Sequence, residues 1–374
     1  MNEKILSKAH EKMTEMYGYE PDISLLSRFY DEKRVLEQSS TYLQTLELVS
    51  KISSEAKKRG EHIVLKGAEC SLFIAYLLGT VDINPLPMHE YCPNCKRLAF
   101  LHREGTAFDK YTPKCNCGED MLIDGYDIPF EPNVKRILHG SIRVYVSESF
   151  FYEAQRILEN ENSDGADLKI SIKSDSLIDR CRALERTTGI DADAICRKST
   201  SWIYHSLNED ELGNIPEFET EFMKGMISYI PPKNFGDLLK LLGFAHSTNV
   251  WKNNADELYS HRKMTFSDIP SFCEDIYSSI VDKLQKQGVY STGFACDVTE
   301  KVRKGYYAFH GSIDEESFVS LINLGFDIDF ILFIEKIEYM VSKTYAVATL
   351  KELLPLLYYR LHFKDVYNDI VVKK

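Results

Sequence analysis

The chain has 374 residues, of which 44% are hydrophobic and 12% aromatic, enough for one large core or two moderate ones, and this excludes a disordered or low-complexity protein. Its 57 acidic and 45 basic residues leave a net charge of −12, which opposes binding to a phosphate backbone unless cations gather on one face; the richest basic stretch, Ala56 to Lys66, reads as a solvated helix end. Residues 1–20 scatter their charges and hold no apolar run, so neither a signal peptide nor a membrane anchor is expected, and the nine cysteines of a cytoplasmic chain are reduced thiols or metal ligands.

From Asp22 to Lys58 the apolar residues Leu25, Leu26, Phe29, Tyr30, Leu36, Leu43, Leu46, Val49 and Ile52 recur at three- and four-residue spacing, predicting amphipathic helices that end near Arg59-Gly60. A short β-branched run, His62 to Gly67, precedes a compact apolar helix over Ser71 to Gly79, giving a strand, tight turn, helix unit. Asn84 to Ile128 holds prolines, glycines and clustered cysteines with too few aliphatics for a core, and reads as a small metal-stapled insert. Beyond it, Ser141 to Ser147 alternates as a half-buried strand, Phe150 to Leu158 is a helix, Asn160 to Asp167 a linker or tight loop, and Leu168 to Ile172 another strand. From Ser176 onward a helical layer is expected, broken at Pro231-Pro232, Gly243, Gly288 and Gly305.

Cys92-Pro93-Asn94-Cys95 and Cys115-Asn116-Cys117-Gly118 supply four thiolates in two tight pairs, the arrangement a tetrahedral Zn2+ site needs. Such a site has no open coordination position and would be structural. The second pair is C-x-C where C-x-x-C is usual, so a three-cysteine site completed by His102 or His89 stands as the alternative. Unmetallated surface thiols would have no packing reason to cluster in a polar, proline-rich segment.

The stretch from Lys66 to Cys95, KGAECSLFIAYLLGTVDINPLPMHEYCPNC, resembles the palm segment of the PolC-type bacterial DNA polymerase III alpha subunit, from its Arg-Gly-Ser turn to its Asn-Pro-Leu-Pro and Cys-Pro-x-Cys zinc insert. Asp124 to Glu131, DGYDIPFE, is similar to the sequence that closes the same insert. The resemblance resumes at Asp175 to Ala192, at Ile215 to Phe222, at Gly243 to Ala255, at Val302 to Gly305 and at Lys336 to Tyr359, in family order, covering most of residues 40–363. It implies an α+β fold: an N-terminal helical segment over 1–60, a reduced polymerase palm over 61–175 with a zinc ribbon at 88–125, and a mostly helical, fingers-like region over 176–374.

The departures bear on function. Polymerases of this class hold two metal ions about 3.5–4 Å apart on palm carboxylates. Two of the family's aspartates stand in a Pro-Asp-Ile-Asp-Leu-Asn-Phe-Ser motif, and the corresponding place here, Pro132 to Ser147, carries no acid before Ser147. The third lies on a Leu-Lys-Leu-Asp-Ile-Leu strand that reads Leu168-Lys169-Ile170-Ser171-Ile172-Lys173 here, and a long stretch of family sequence between the two strands is compressed into a short span. Lysine, arginine and tyrosine do not chelate magnesium, whose ligands are hard oxygens. The Gly-Ser of the phosphate-cradling turn is Cys70-Ser71 with Glu69 beside it, crowding and repelling a phosphate. His246-Ser247-Thr248-Asn249 and Ser342-Lys343-Thr344-Tyr345 depart from the family's His-Gly-Thr-Asp and Pro-Lys-Ala-His.

Other candidates weigh less. Asp164, Asp167, Asp175 and Asp179 could form a displaced metal site, but a solvated loop and a helix cap at Ser174 or Asp175 account for them better. His205, His246, His261 and His310 lack partners at ligand spacing, and Cys181, Cys196, Cys273 and Cys296 sit in predicted helices as core thiols. An aromatic stripe, Phe330, Phe333, Leu357, Tyr345, Tyr358 and Tyr359, has the spacing of core rather than of a base-stacking platform. The leading expectation is a catalytically inactive polymerase homologue acting by binding DNA or replisome proteins, with no membrane association. The alternatives are an active polymerase using Mg2+ on displaced ligands, and a protein-interaction module without nucleic-acid function.

Overall fold

The computed structural model describes residues 2–101, 113–161, 168–192, 195, 204, 207, 212 and 214–372. Three N-terminal helices, α1 (Asn2–Tyr17), α2 (Ile23–Leu36) and α3 (Ser40–Lys58), follow the apolar periodicity; Asp22 caps α2 and Ser39 caps α3 through their side chains. Gly60, at φ +65°, turns the chain into strand β1 (Ile63–Val64). A 3₁₀ turn over Ala68–Ser71 then leads to α4 (Phe73–Leu77). This helix is shorter than the predicted Ser71 to Gly79 because Leu72 is extended and the Glu32 carboxylate accepts the amides of Phe73 (2.9 Å) and Ile74 (2.9 Å), fixing the helix start there.

The insert is a three-stranded antiparallel sheet in the order β3 (Leu98–Phe100), β2 (His89–Tyr91), β4 (Leu122–Asp124). After it come α5 (Val134–His139), β5 (Ile142–Val146), α6 (Glu148–Glu161) and β6 (Ile170–Ser174). The second sheet has the order β1-β5-β6, with β1 antiparallel and β6 parallel to β5; α6 supplies the crossover that a parallel pair requires. Its alternation is as expected: Ile142, Val144 and Val146 are buried beneath the sheet and Arg143 is exposed above it.

The remainder is helical: α7 (Ser176–Thr188), α8 (Glu221–Tyr229), α9 (Phe235–Ala245), α10 (Asp256–Ser260), α11 (Cys273–Lys286), α12 (Gly293–Arg303), α13 (Tyr306–His310), α14 (Glu315–Asn323), α15 (Ile328–Glu335), α16 (Lys343–His362) and α17 (Lys364–Tyr367). The architecture is thus α+β, two small sheets set against a large helical region, as the resemblance implied. Breaks occur as expected at Pro231-Pro232, Gly288 and Gly305, but not at Gly243, which lies inside α9. A Cβ at that position would meet Phe272 Cε1 at 2.6 Å and the Ser271 carbonyl at 2.9 Å, so this glycine permits close helix packing rather than ending a helix. One apolar cluster runs from Ile5 to Val371, and Phe330, Phe333, Leu357 and Tyr359 of the aromatic stripe are buried in it, while Tyr345 and Tyr358 pack against its edge.

Glu32 falls on the apolar stripe of α2 and is fully buried, held by Arg28 and the two amides of α4. Glu32→Ala would leave the amides and Arg28 without their acceptor, and a loss of about 3–5 kcal/mol is expected from urea unfolding. A loss below about 1 kcal/mol would show that water replaces the carboxylate.

Candidate functional sites: a thiol cluster and a sheet-edge cavity

Two turns build the thiol cluster. The Cys92 amide donates to the Arg97 carbonyl at 2.8 Å and Lys96 adopts φ +64°, curling Cys92–Cys95 into a knuckle in which the Cys95 amide points at Cys92 Sγ (3.4 Å). A second curl forms where the Cys115 amide donates to the Glu119 carbonyl at 2.8 Å and Gly118 sits at φ +91°. This glycine lets the shorter C-x-C pair close its turn. The sulfurs of Cys92, Cys95, Cys115 and Cys117 all lie within 4.8 Å of one another and could hold a metal ion; among the described residues no other such group occurs. The Glu119 amide, with Cys92 beside it, pulls the Cys117 thiol down to about 6. Cys92, Cys115 and Met121 form a small apolar cluster of their own beneath the sulfurs.

His89 is not a fourth ligand. It is fully buried, with Nε2 3.1 Å from the Tyr17 hydroxyl and Nδ1 2.8 Å from the Pro87 carbonyl, so both ring nitrogens are engaged, and burial lowers its pKa. The alternative through His102 falls outside the described residues. His89 instead belongs to a buried network that ties the insert to the N-terminal helices. In it, Asn84 donates to Tyr17 (3.2 Å) and to Asp124 (3.0 Å), and the Tyr76 hydroxyl donates to Asp124 at 2.8 Å.

The second site is a cavity of about 450 Å³ where the β1-β5-β6 sheet meets the helical region, lined among others by Lys66, Glu69, Arg136, Ser141, His246 and Tyr345. Lys66 Nζ sits 2.5 Å from Glu352 Oε2, 3.9 Å from Asp175 and 5.2 Å from the Tyr145 ring centre. Burial pushes Glu352 up to about 7 against the pull of the Lys66 ammonium, and that carboxylate in turn raises Lys66. In the turn after β1 the Gly67 amide donates to Glu69 Oε1 at 3.0 Å, so the buried Glu69 carboxylate itself occupies the amide-lined turn; desolvation raises its pKa. His246 Nε2 lies 3.1 Å from Glu217 Oε2, and its ring meets Tyr345 edge-on at 5.2 Å.

The acids considered for a displaced metal site do not converge. Asp175 Oδ1 caps α7 by accepting the Leu177 amide at 2.9 Å, while Asp179 accepts the Glu148 amide at 3.0 Å; Asp164 and Asp167 lie outside the described residues. Cys273 is a buried core thiol, and Cys181 and Cys296 are half-buried beside the core; Cys196 and His205 lie outside the described residues. His310 stays local, its Nδ1 2.7 Å from the Tyr306 carbonyl, and His261 is an exposed helix end. Sequence reading missed Glu32 and Glu352. The first had a legible signal, since it interrupts the Leu25, Phe29, Leu36 stripe with an acid four residues after Arg28; the second is one acid in a long helix, paired to a lysine 286 positions earlier in the sequence.

Because Glu352 binds its proton more tightly folded (about 7) than at the ordinary value of 4.5, its contribution to stability is complete below pH 4.5 and is lost as pH rises through 7. Glu352→Gln is expected to flatten the unfolding free energy between those values by up to one proton's worth, about 1.4 kcal/mol per pH unit. An unchanged slope would mean that another group carries it.

Residues 176–285 match the model of the bacterial DNA polymerase III alpha subunit finger domain. The chain is also similar to curated proteins named DNA polymerase III PolC-type. That of Thermotoga petrophila is 25% identical over 436 residues, covering 86% of this chain and 31% of its own length. Those of Lacticaseibacillus paracasei (22% over 475 residues, 96% of this chain, 32% of the relative) and Caldanaerobacter subterraneus (22% over 477, 97% and 33%) agree. These alignments are longer than the 374-residue chain itself, so the relatives carry stretches with no counterpart here, and the chain spans about a third of the length of the relatives it matches. No helix among the described residues is long and apolar enough to cross a membrane. Fold, insert and sequence matches agree in likening this chain to part of the PolC-type bacterial DNA polymerase III alpha subunit.

Proposed function

We propose that this chain is a catalytically inactive homologue that acts by binding DNA or replication proteins, and that it divides into an N-terminal helical segment (1–60), a reduced palm (61–175) and a fingers-like region (176–374). The observation that carries the reading is the outward face of β5 and β6. Arg143 stands opposite Ser171, and Tyr145 opposite Lys173, in parallel register. The resemblance puts the polymerase aspartates on these strands, and a face of two cations, a tyrosine and a serine repels or ignores the Mg2+ that primer extension needs. Glu69 filling the amide-lined turn supports the same reading, because a triphosphate would have to displace it. Asp175, the acid nearest this face on β6's own chain, is already committed to the α7 cap and Lys66.

Templated primer extension with Mg2+ or Mn2+ is expected to stay at background, with product formation above a heat-inactivated control overturning the reading. The four cysteines are proposed to hold structural Zn2+, each contributing a thiolate to a closed tetrahedron. One zinc per chain is expected by elemental analysis, and Cys92→Ser together with Cys95→Ser should abolish it and lower the melting temperature. Full retention of zinc in that double variant would refute the assignment.

A further inference from the structure

We propose that the outward face of the β5–β6 pair is a metal-independent nucleic-acid phosphate site, with Arg143 and Lys173 as its contacts and Tyr145 beside them; this rests on the DNA-binding part of the reading above. Strand register puts Arg143, Tyr145, Ser171 and Lys173 on one side of the sheet, the side opposite buried Val144 and Ile172. Arg143 and Lys173 are exposed, and neither has a carboxylate within ion-pairing distance among the described residues. The only hydrogen bond to the Arg143 guanidinium among them is a long one, 3.4 Å to the Tyr145 hydroxyl, so its fork is available to a planar or tetrahedral oxyanion.

In a protein of net charge −12, cations elsewhere on the surface are neutralised by neighbouring carboxylates in places. The groove between α1, α3 and α6 is an instance: Lys51 pairs with Glu47 and Glu161, Lys58 with Glu55, Arg59 with Glu55 and Glu153, and Arg156 with Glu153. The sheet face lacks this neutralisation. Beside it, Lys66, itself paired with Glu352 and Asp175, stands over the Tyr145 ring and lines the cavity, as does Ser141 just before β5. A backbone crossing the sheet would thus meet two unpaired cations on adjacent strands, with an aromatic ring beside them. Local charge complementarity favours a polyanion, whose phosphate backbone two unpaired cations can neutralise without reading its sequence.

The test is fluorescence-anisotropy titration of the full chain with a labelled primer–template duplex, over a salt series, without added divalent cation and with magnesium. Binding without added divalent cation at least as tight as in magnesium is expected. Arg143→Glu combined with Lys173→Glu should weaken it about tenfold or more and lower the magnitude of the salt slope by about 2, one phosphate contact per residue, with the circular dichroism spectrum unchanged. Lys58→Glu with Arg156→Glu, in the neutralised groove, should change binding little. Wild-type binding that survives the sheet-face substitutions with its slope intact, or that requires magnesium, overturns the site while leaving a DNA-binding protein. No binding by the wild type at low salt overturns the DNA-binding part of the underlying reading.

Discussion

The architecture depends on the pair formed by half-buried Arg28 and fully buried Glu32. Glu32 accepts the first amides of α4 while Arg28 donates to the carbonyls of Ser71 (2.6 Å) and Ile128 (3.0 Å) and lies 4.9 Å over the Phe130 ring. One ion pair on one turn of α2 therefore fixes the 3₁₀ turn after β1, the start of α4 and the exit of the thiol-bearing insert. A buried pair of this kind contributes little beyond what a hydrophobic pair would, but breaking it is costly, so it specifies an arrangement more than it stabilises one.

From that anchor the two sites inherit opposite characters. The insert is held by satisfied polar groups, Tyr17, Asn84, Asp124 and His89, and keeps a complete set of donors in its four cysteines. The sheet edge keeps the strand register and the cavity, but cations and a serine stand on the strands and a carboxylate fills the turn.

Much of this was legible in the sequence. The alternation of Ile142 to Val146 and of Ile170 to Lys173 gave the strands, and the cysteine spacing gave the cluster, because both depend on short-range periodicity and ligand chemistry. Gly243 reads from sequence as a helix end, yet a glycine in a helix marks either an end or a close approach, and only the position of Phe272 and Ser271 distinguishes them. The His89 alternative was open for a similar reason: its engagement by Tyr17 is a contact 72 residues away in sequence. The Lys66–Glu352 pair and the register of Arg143 against Ser171 are likewise long-range facts that no local pattern encodes.

On the reading proposed, the sheet edge holds no catalytic divalent metal. Titration of Mn2+ into the full chain, followed by electron paramagnetic resonance in the presence of a primer–template and a nucleoside triphosphate, tests it directly. Only weak, non-stoichiometric binding that Asp175→Asn leaves unchanged is expected; one or two tightly held ions lost in that variant would contradict the account and put a working metal site back at the end of β6.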